Sequence, residues 1–250
     1  MHCTNGWTGA LNRSSGTITE RLGNIRSRIE VACERADRNP SEVELVAVSK
    51  MHPAGAVLEA FQAGQLSFGE SYVQRWLARA EDPRIGALAT LRWHFIGSLQ
   101  RNKIRFLLGR VHCIETVDRI KLARELSHRA LTRPGGMPQQ VLLQVNLAED
   151  PQKSGFSKQQ LLDHLQELAE LPGLSIDGLM AIPPARAHPE ATRSDHRALR
   201  ELRDQLRDSH ALALATLSMG MSTDFEVAIE EGSTRVRIGT GIFGPRPRAT

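Results

Sequence analysis

The sequence has few of the features that mark secreted, metal-binding or membrane-spanning proteins. Its three cysteines (Cys3, Cys33 and Cys113) are widely separated and never form a C-x-x-C pair. Neither a disulfide framework nor a zinc site is therefore predicted. No apolar run approaches the roughly 18 residues of a membrane span, and the N-terminus lacks the basic and apolar regions of a secretory signal. We expect a cytoplasmic protein that binds no metal.

Other absences narrow the functional class. Neither G-x-G-x-x-G nor G-x-x-x-x-G-K-[ST] occurs, which disfavours a nucleotide-binding sheet. The net charge is only +4, and the arginines are mixed with acidic residues, so a solvated surface is favoured over a nucleic-acid groove. We expect neither a nucleic-acid nor a membrane partner. A basic interaction module without a cofactor is kept as an alternative function. Aromatic residues make up 4% of the chain, and Tyr72 is its only tyrosine.

Strand and helix patterns alternate along the chain. Residues 1–16 are predicted to be a disordered lead-in, and residues 17–250 a single domain that opens with an amphipathic helix. Eight predicted strands follow, with a helix after each of the first seven, which indicates parallel pairing and a closed (β/α)₈ barrel. An open doubly wound sheet is the alternative. The predicted strands cover residues 43–49, 66–68, 91–96, 111–114, 140–146, 174–180, 212–218 and 235–239.

A lysine directly follows the first predicted strand. Residues 44–49 are apolar or small after the initial glutamate, and Lys50 comes at their C-terminal end, before Pro53 opens a helix. In parallel α/β proteins these strand ends carry the chemistry. A lysine there can be a surface charge, a buried ion-pair partner, or an amine that condenses with a carbonyl. The spacing alone does not choose among them.

The seventh and eighth units end in small and hydroxyl-bearing residues. Residues 218–222 read Ser-Met-Gly-Met-Ser and open into a helix with a predicted capping box, Thr223-x-x-Glu226. Residues 239–241 read Gly-Thr-Gly. Ordinary turn chemistry explains either segment alone. In barrels, the loops after the seventh and eighth strands often hold a phosphate. Because both segments follow these two strands, we favour a phosphate site.

Arg237 is unusual because its strand should be buried on both faces. It is either a core arginine paired with a carboxylate or a cation that hydrogen-bonds a ligand. The strand-end lysine, the phosphate loops and this arginine are together the parts of a pyridoxal 5′-phosphate (PLP) site. Such a site needs an amine for the aldehyde, N–H donors for the phosphate and a partner for the pyridine nitrogen.

Six segments resemble the pyridoxal-phosphate homeostasis protein family, also called the YggS/PROSC family. The resemblance implies a barrel like the N-terminal domain of alanine racemase. It also implies a protein that holds and releases PLP in vitamin B6 and amino-acid homeostasis. The segments are residues 45–50, 68–74, 93–103, 144–146 with 153–155, 178–183, and 218–222 through 236–244.

The resemblance also assigns site residues. Lys50 carries the cofactor as a Schiff base, Arg237 faces the pyridine nitrogen, and Ser71 lies on the site wall in place of the family's usual asparagine. This shorter side chain would weaken a cofactor contact or leave it to water. His52 stands where the family often has a second lysine, which puts a relay role for that position in doubt. The phosphate is expected among Ser218, Met221, Ser222, Gly239 and Thr240.

A racemase or decarboxylase of the same fold is the alternative function. Racemisation needs an acid and a base on opposite faces of the carbanion, and barrel racemases take one of them from a tyrosine of a second domain. We expect that domain to be absent because the sequence ends at Thr250. Arg237 would also leave the pyridine nitrogen unprotonated. The prediction is therefore a non-catalytic PLP carrier, monomeric, with PLP-dependent apo-enzymes as partners.

Three further residues lie in or near the predicted strand ends. His94 lies inside an apolar strand and is expected to be a core histidine with a satisfied hydrogen bond. Lys103 and Lys153 would lie at the mouth of the site, where plain surface charge is the simpler interpretation of both.

Overall fold

The computed structural model describes residues 16–148, 150, 152–184, 186–209 and 212–245. Eight parallel strands close into a barrel in sequential order, and the last strand pairs with the first. The predicted (β/α)₈ fold is therefore confirmed, while residues 1–15 of the predicted lead-in lie outside the described ranges. The strands are β1 (Glu44–Val48), β2 (Ser67–Glu70), β3 (Arg92–Phe95), β4 (Cys113–Val117), β5 (Gln139–Val145), β6 (Leu174–Ala181), β7 (Thr216–Ser218) and β8 (Arg235–Ile238).

Helices surround the barrel. Short 3₁₀ helices also occur at Pro40–Glu42, Arg101–Lys103 and Pro189–Thr192. None of the helices in the described ranges has the length and apolar character needed to cross a bilayer. The α-helices of these ranges are α1 (Ile18–Arg35), α2 (Ala54–Gln62), α3 (Val73–Ala80), α4 (Pro83–Gly86), α5 (Ile104–Leu107), α6 (Ile120–Thr132), α7 (Lys158–Ala169), α8 (Arg193–Ser209), α9 (Phe225–Glu230) and α10 (Thr240–Phe243).

The predicted N-terminal helix is α1. Thr17 caps it in a capping box with Glu20, which satisfies backbone N–H groups that otherwise lack partners. Its buried face, at three- and four-residue spacing, packs against α2, α9 and α10. The helix of the eighth unit, α10, is only four residues long. Because α1 packs beside it, α1 covers apolar surface that a longer eighth helix would cover.

Two local predictions were wrong. Thr223 does not cap α9: the helix begins at Phe225, and Asp224 at its N-cap accepts the Met221 N–H at 2.8 Å instead. The seventh strand is three residues long, much shorter than the predicted span of residues 212–218.

The barrel interior is not purely apolar. Strands covered on both faces are expected to be continuous hydrophobic runs, yet buried charged and imidazole side chains occupy inward positions on several strands. A buried charge is tolerated only when it is paired and hydrogen-bonded. These side chains therefore predict a connected polar cluster within the barrel. Its principal members are Glu115, His94, Arg235 and Arg237.

Candidate functional site

The predicted ligand residues lie along one part of the barrel rim. Lys50 follows β1, Ser71 follows β2, Ser222 lies in the loop after β7, and Gly239 and Thr240 follow β8. The strands pair in the order β7, β8, β1 and β2, so these C-terminal ends are adjacent. Lys50, Ser71, Ser222 and Gly239 are half-buried and Thr240 is exposed. The structure therefore brings together residues that are almost two hundred positions apart in the sequence.

Ser222 connects the two predicted phosphate loops. Its Oγ accepts the N–H groups of Gly239 and Gly241, both at 3.3 Å. Within the described ranges, the backbone N–H groups of Ser222, Thr223 and Thr240 donate to no protein atom. Unused N–H groups clustered in such loops suit a phosphate, which accepts several hydrogen bonds. The donor set therefore fits the predicted group.

The loop after β7 has a conformation that requires glycine. Gly220 has φ +92°, and a Cβ on this residue would meet the Ala228 Cβ at 2.6 Å. Its carbonyl accepts the Arg237 N–H at 3.0 Å, which ties the loop to β8. The neighbouring Met221 is exposed, and its N–H is taken by Asp224. Its predicted part in phosphate binding stays a prediction.

Arg237 projects into the barrel near the C-terminal ends of β6 and β7. Its Nη1 donates to Ser218 Oγ at 2.5 Å, and its Nη2 donates to the Ala181 carbonyl at 2.9 Å. Burial lowers the pKa of Arg237 from its ordinary value, while the carboxylates of Glu115 and Asp224 oppose this change. An arginine has five N–H donors, so others remain for a ligand.

The Ser218 hydroxyl is directed away from the phosphate loops. It donates to Glu115 Oε2 at 2.6 Å and accepts from Arg237. A hydroxyl has one proton, and here the proton faces a carboxylate. This bond does not support the predicted contact of Ser218 with the phosphate. It supports a role in orienting Arg237.

Glu115 is the centre of the buried cluster. Its Oε1 lies 2.9 Å from His94 Nδ1 and 3.3 Å from Arg235 Nη1. Burial alone would raise the pKa of Glu115, but the hydrogen bond from His94 and the charges of Arg235, His94 and Arg237 lower it to about 2. The carboxylate is therefore ionised and holds the polar side chains around it in place.

Most residues of this cluster were not predicted from the sequence. Arg235 donates to Glu44 Oε2 at 2.7 Å and to Glu115 at 3.3 Å. The available signal was the pair Arg235 and Arg237 in one strand, because residues two apart point to the same face and two inward cations require buried carboxylates. His94 was predicted as a core histidine, and its Nδ1 contact with Glu115 agrees.

His94, Cys113 and Glu115 could in principle hold a metal, since their ligand atoms lie within 4.8 Å of one another. Arg235 Nη1, however, lies 3.8 Å from Cys113 Sγ and 3.3 Å from Glu115 Oε1. Burial raises the pKa of the Cys113 thiol well above its ordinary value, so the sulfur stays protonated. The guanidinium supplies the positive charge that a metal would bring, and we interpret the cluster as an ion-pair network.

A pocket of about 340 Å³ opens at the ends of β3 to β6, beside the predicted site. Lys153, Asn146 and Gln144 are among the residues that line it. Lys103 lies apart in a 3₁₀ helix, with its Nζ 5.8 Å from the centre of the Phe106 ring. Of the two lysines predicted at the mouth, Lys153 is thus the one that lines this pocket.

Comparison with known proteins gives matches over nearly the whole chain. Residues 21–247 match the family described as alanine racemase, N-terminal domain. A protein of Aquifex aeolicus named pyridoxal phosphate homeostasis protein is 43% identical over 227 residues, which are 91% of this chain and 97% of the relative. Its namesake in Pseudomonas aeruginosa is 44% identical over 231 residues, covering 92% of this chain and 96% of the relative.

Solved structures of similar proteins agree with the family match. PipY of Synechococcus elongatus PCC7942, solved with PLP bound, has a TM-score of 0.81 and 35% identity, covering 91% of this chain and 100% of PipY. The alanine racemase of Corynebacterium glutamicum has a TM-score of 0.66 and 18% identity, covering 91% of this chain and 63% of the racemase. The racemase likeness is evidence for the fold alone.

The Glu115 cluster generates a stability prediction. Its pKa in the folded protein, about 2, lies below the ordinary 4.5, so the ionised carboxylate contributes stability above pH 4.5 that is lost as pH falls towards 2. We expect Glu115→Gln to lower the free energy of unfolding at pH 7 by about 3 kcal/mol. Urea denaturation measured from pH 7 to pH 3 should show this deficit shrinking below about pH 4.5.

The control for this prediction is Glu167→Gln, which removes an exposed carboxylate paired with Arg124. Exposed pairs contribute little, so this variant should unfold like the wild type at every pH. An equal deficit for the Glu115 variant at pH 7 and pH 3 would contradict the assignment of an ionised, buried Glu115.

Proposed function

The chain belongs to the family of pyridoxal phosphate homeostasis proteins, and we propose that its barrel holds PLP at the rim where β7, β8, β1 and β2 end. The observation that carries this proposal is the adjacency of Lys50, the two phosphate loops and Arg237. When bound, PLP supplies an aldehyde that condenses with amines and a ring that can accept electrons.

Lys50 would hold the aldehyde through its side-chain amine, by the Schiff-base linkage expected from the sequence. Its position after β1 is defined by a tight turn, in which the His52 N–H donates to the Ser49 carbonyl at 3.1 Å. A half-buried lysine at a barrel rim can reach a ligand while its backbone stays fixed. Ser71, at the end of the neighbouring strand β2, would form the wall beside it.

The phosphate would be held by the loops after β7 and β8. The N–H groups of Ser222, Thr223 and Thr240 would donate to it, and Gly239 allows close approach of the backbone. Ser222 has a second task, because its Oγ keeps the two loops together. We leave Ser218 out of this donor set because its hydroxyl donates to Glu115 Oε2 at 2.6 Å.

Arg237 would meet the pyridine nitrogen with N–H groups that Ser218 and Ala181 do not use. A guanidinium donates hydrogen bonds but keeps its proton, so this residue orients the ring without making it a strong electron acceptor. Tyr72, the only tyrosine, is 55% exposed, with the Arg75 guanidinium 5.8 Å from its ring centre. The Tyr72 hydroxyl is therefore not held against a buried ligand, as a catalytic acid or base would have to be. Both features support a carrier over the alternative racemase or decarboxylase.

The carrier would release PLP to PLP-dependent apo-enzymes. We place this exchange in the cytoplasm, as expected for a chain whose described cysteines, Cys33 and Cys113, are buried thiols without a disulfide. We expect the protein to act as a monomer because every proposed ligand residue comes from a single barrel.

Lys50→Ala tests the covalent attachment. The wild type, titrated with PLP, should gain a visible absorbance band that follows saturable binding, whereas the Lys50 variant should lack the band because no amine is present at the site. Lys121→Ala, which removes an exposed lysine on α6, is the matched control and should bind like the wild type. A wild type that gains no band on titration with PLP, or a Lys50 variant with the full band, would contradict the proposal.

Ser222→Ala tests the phosphate loops. Loss of the Oγ that joins them should weaken PLP binding about tenfold, equivalent to about 1.4 kcal/mol, while binding of unphosphorylated pyridoxal should change less than about twofold. Isothermal titration of both compounds measures the difference. Ser175→Ala, at the opposite end of the barrel, should alter neither affinity. Equal losses for the two compounds would place the phosphate elsewhere.

The carrier proposal also predicts an absence of turnover. PLP-loaded protein should neither racemise nor decarboxylate any of the twenty common amino acids, because Arg237 does not promote electron withdrawal by the ring. Chiral chromatography and carbon dioxide release over several hours provide the measurement. Steady turnover that disappears in Lys50→Ala would contradict the carrier proposal and support a racemase or decarboxylase.

A further inference from the structure

The turn that carries Lys50 is strained. We call residues 49–52 the Lys50 turn; it begins where the Ser49 N–H donates to the Gly69 carbonyl at 3.1 Å and closes where the His52 N–H donates to the Ser49 carbonyl. Met51 has φ +70°, a conformation that favours glycine and is disfavoured for a residue with a Cβ. Such a conformation persists only when the surroundings enforce it.

One side chain from outside the turn provides that enforcement. Arg79, on α3, is only 7% exposed. Its Nη1 donates to Ser49 Oγ at 2.5 Å, and its Nη2 donates to the carbonyls of Ser49 at 2.8 Å and His52 at 2.7 Å. A single guanidinium therefore holds both ends of the turn and leaves Lys50 between its two anchoring points.

The same guanidinium connects the turn to the end of β2. Glu70 is fully buried, and its Oε2 lies 3.6 Å from Arg79 Nη2. Its Oε1 accepts the N–H groups of Ser71 at 2.7 Å and Tyr72 at 3.3 Å. The Lys50 turn and the backbone of Ser71 are therefore held by one buried ion pair.

The distribution of these contacts argues against a purely structural arginine. An arginine needed only for stability would be satisfied by Glu70, yet three hydrogen bonds of Arg79 go to the turn. Only a planar fork of donors reaches a hydroxyl and two carbonyls together. Lysine, with a single ammonium group, does not reproduce this geometry.

We infer that Arg79 is the positioning residue of Lys50: it holds the Lys50 turn in its strained form and thereby presents the Lys50 amine to an aldehyde ligand. The identity of that ligand rests on the function proposed above, whereas the control of the turn by Arg79 does not. Arg79 acts through the backbone of Ser49 and His52 and is not itself required to touch the ligand.

The first experiment uses the protein without added ligand. Hydrogen–deuterium exchange, read by mass spectrometry, should show faster exchange of the His52 amide in Arg79→Lys and Arg79→Met than in the wild type. Amides of the distant helix α7 should be unchanged. Arg75→Met, one turn earlier on α3 and exposed, is the matched control. Unchanged exchange of His52 in both folded Arg79 variants would overturn the inference, whatever the protein binds.

The second experiment separates positioning from general support of the site. Arg79→Lys should weaken binding of PLP roughly tenfold but leave pyridoxamine 5′-phosphate, which has no aldehyde to join to Lys50, within about twofold of the wild type. Equal losses for both compounds would show that Arg79 supports the whole site, and no loss for either would show that it supports none. Both results would overturn the positioning role. Failure of the wild type to bind PLP would instead count against the proposed function, and the exchange experiment would still test Arg79.

Discussion

The ionised carboxylate of Glu115, buried inside the barrel, is the group on which the ligand end of the structure depends. It accepts from Ser218 and lies within hydrogen-bond distance of His94 and Arg235. Ser218 in turn accepts from Arg237. A buried guanidinium needs a nearby negative charge, and Glu115 provides one for two arginines. Together with Asp224, that charge offsets the cost of burying Arg237 at the depth where the pyridine ring of PLP is proposed to lie.

The two inward arginines of β8 divide the barrel interior into layers. Arg235, near the start of the strand, bonds to Glu44 and lies against Cys113, so it belongs to a closed ion-pair layer. Arg237, two residues later, bonds to Ser218 and the Ala181 carbonyl and has donors to spare. The first layer supports the second, because Glu115 accepts from Arg235 directly and is connected to Arg237 through the Ser218 hydroxyl. This arrangement matches the general rule that the C-terminal ends of barrel strands carry function while the opposite ends carry stability.

The sequence alone was sufficient for the fold, and the ligand residues that it predicts lie near one another at one end of the barrel. Alternating strand and helix patterns predicted the barrel, and loop chemistry at the strand ends indicated a phosphate site. The family resemblance then assigned Lys50, Ser222, Gly239 and Thr240 to the ligand. The contacts made by buried side chains were not predictable, since they depend on which inward positions face one another across the barrel. The resemblance assigned Ser218 to the phosphate, whereas its hydroxyl donates to Glu115 in the structure. Arg79 was missed because its helix pattern gives no sign that its guanidinium reaches the Lys50 turn.

The central claim is that one amine, that of Lys50, holds the PLP aldehyde. The most direct measurement is borohydride reduction of the PLP-loaded protein followed by digestion and mass mapping of every lysine-containing peptide. We predict a single stoichiometric pyridoxyl-phosphate adduct on Lys50, with other lysines such as Lys153 modified far below one equivalent. A stoichiometric adduct on a different lysine, or no adduct at all, would contradict this account.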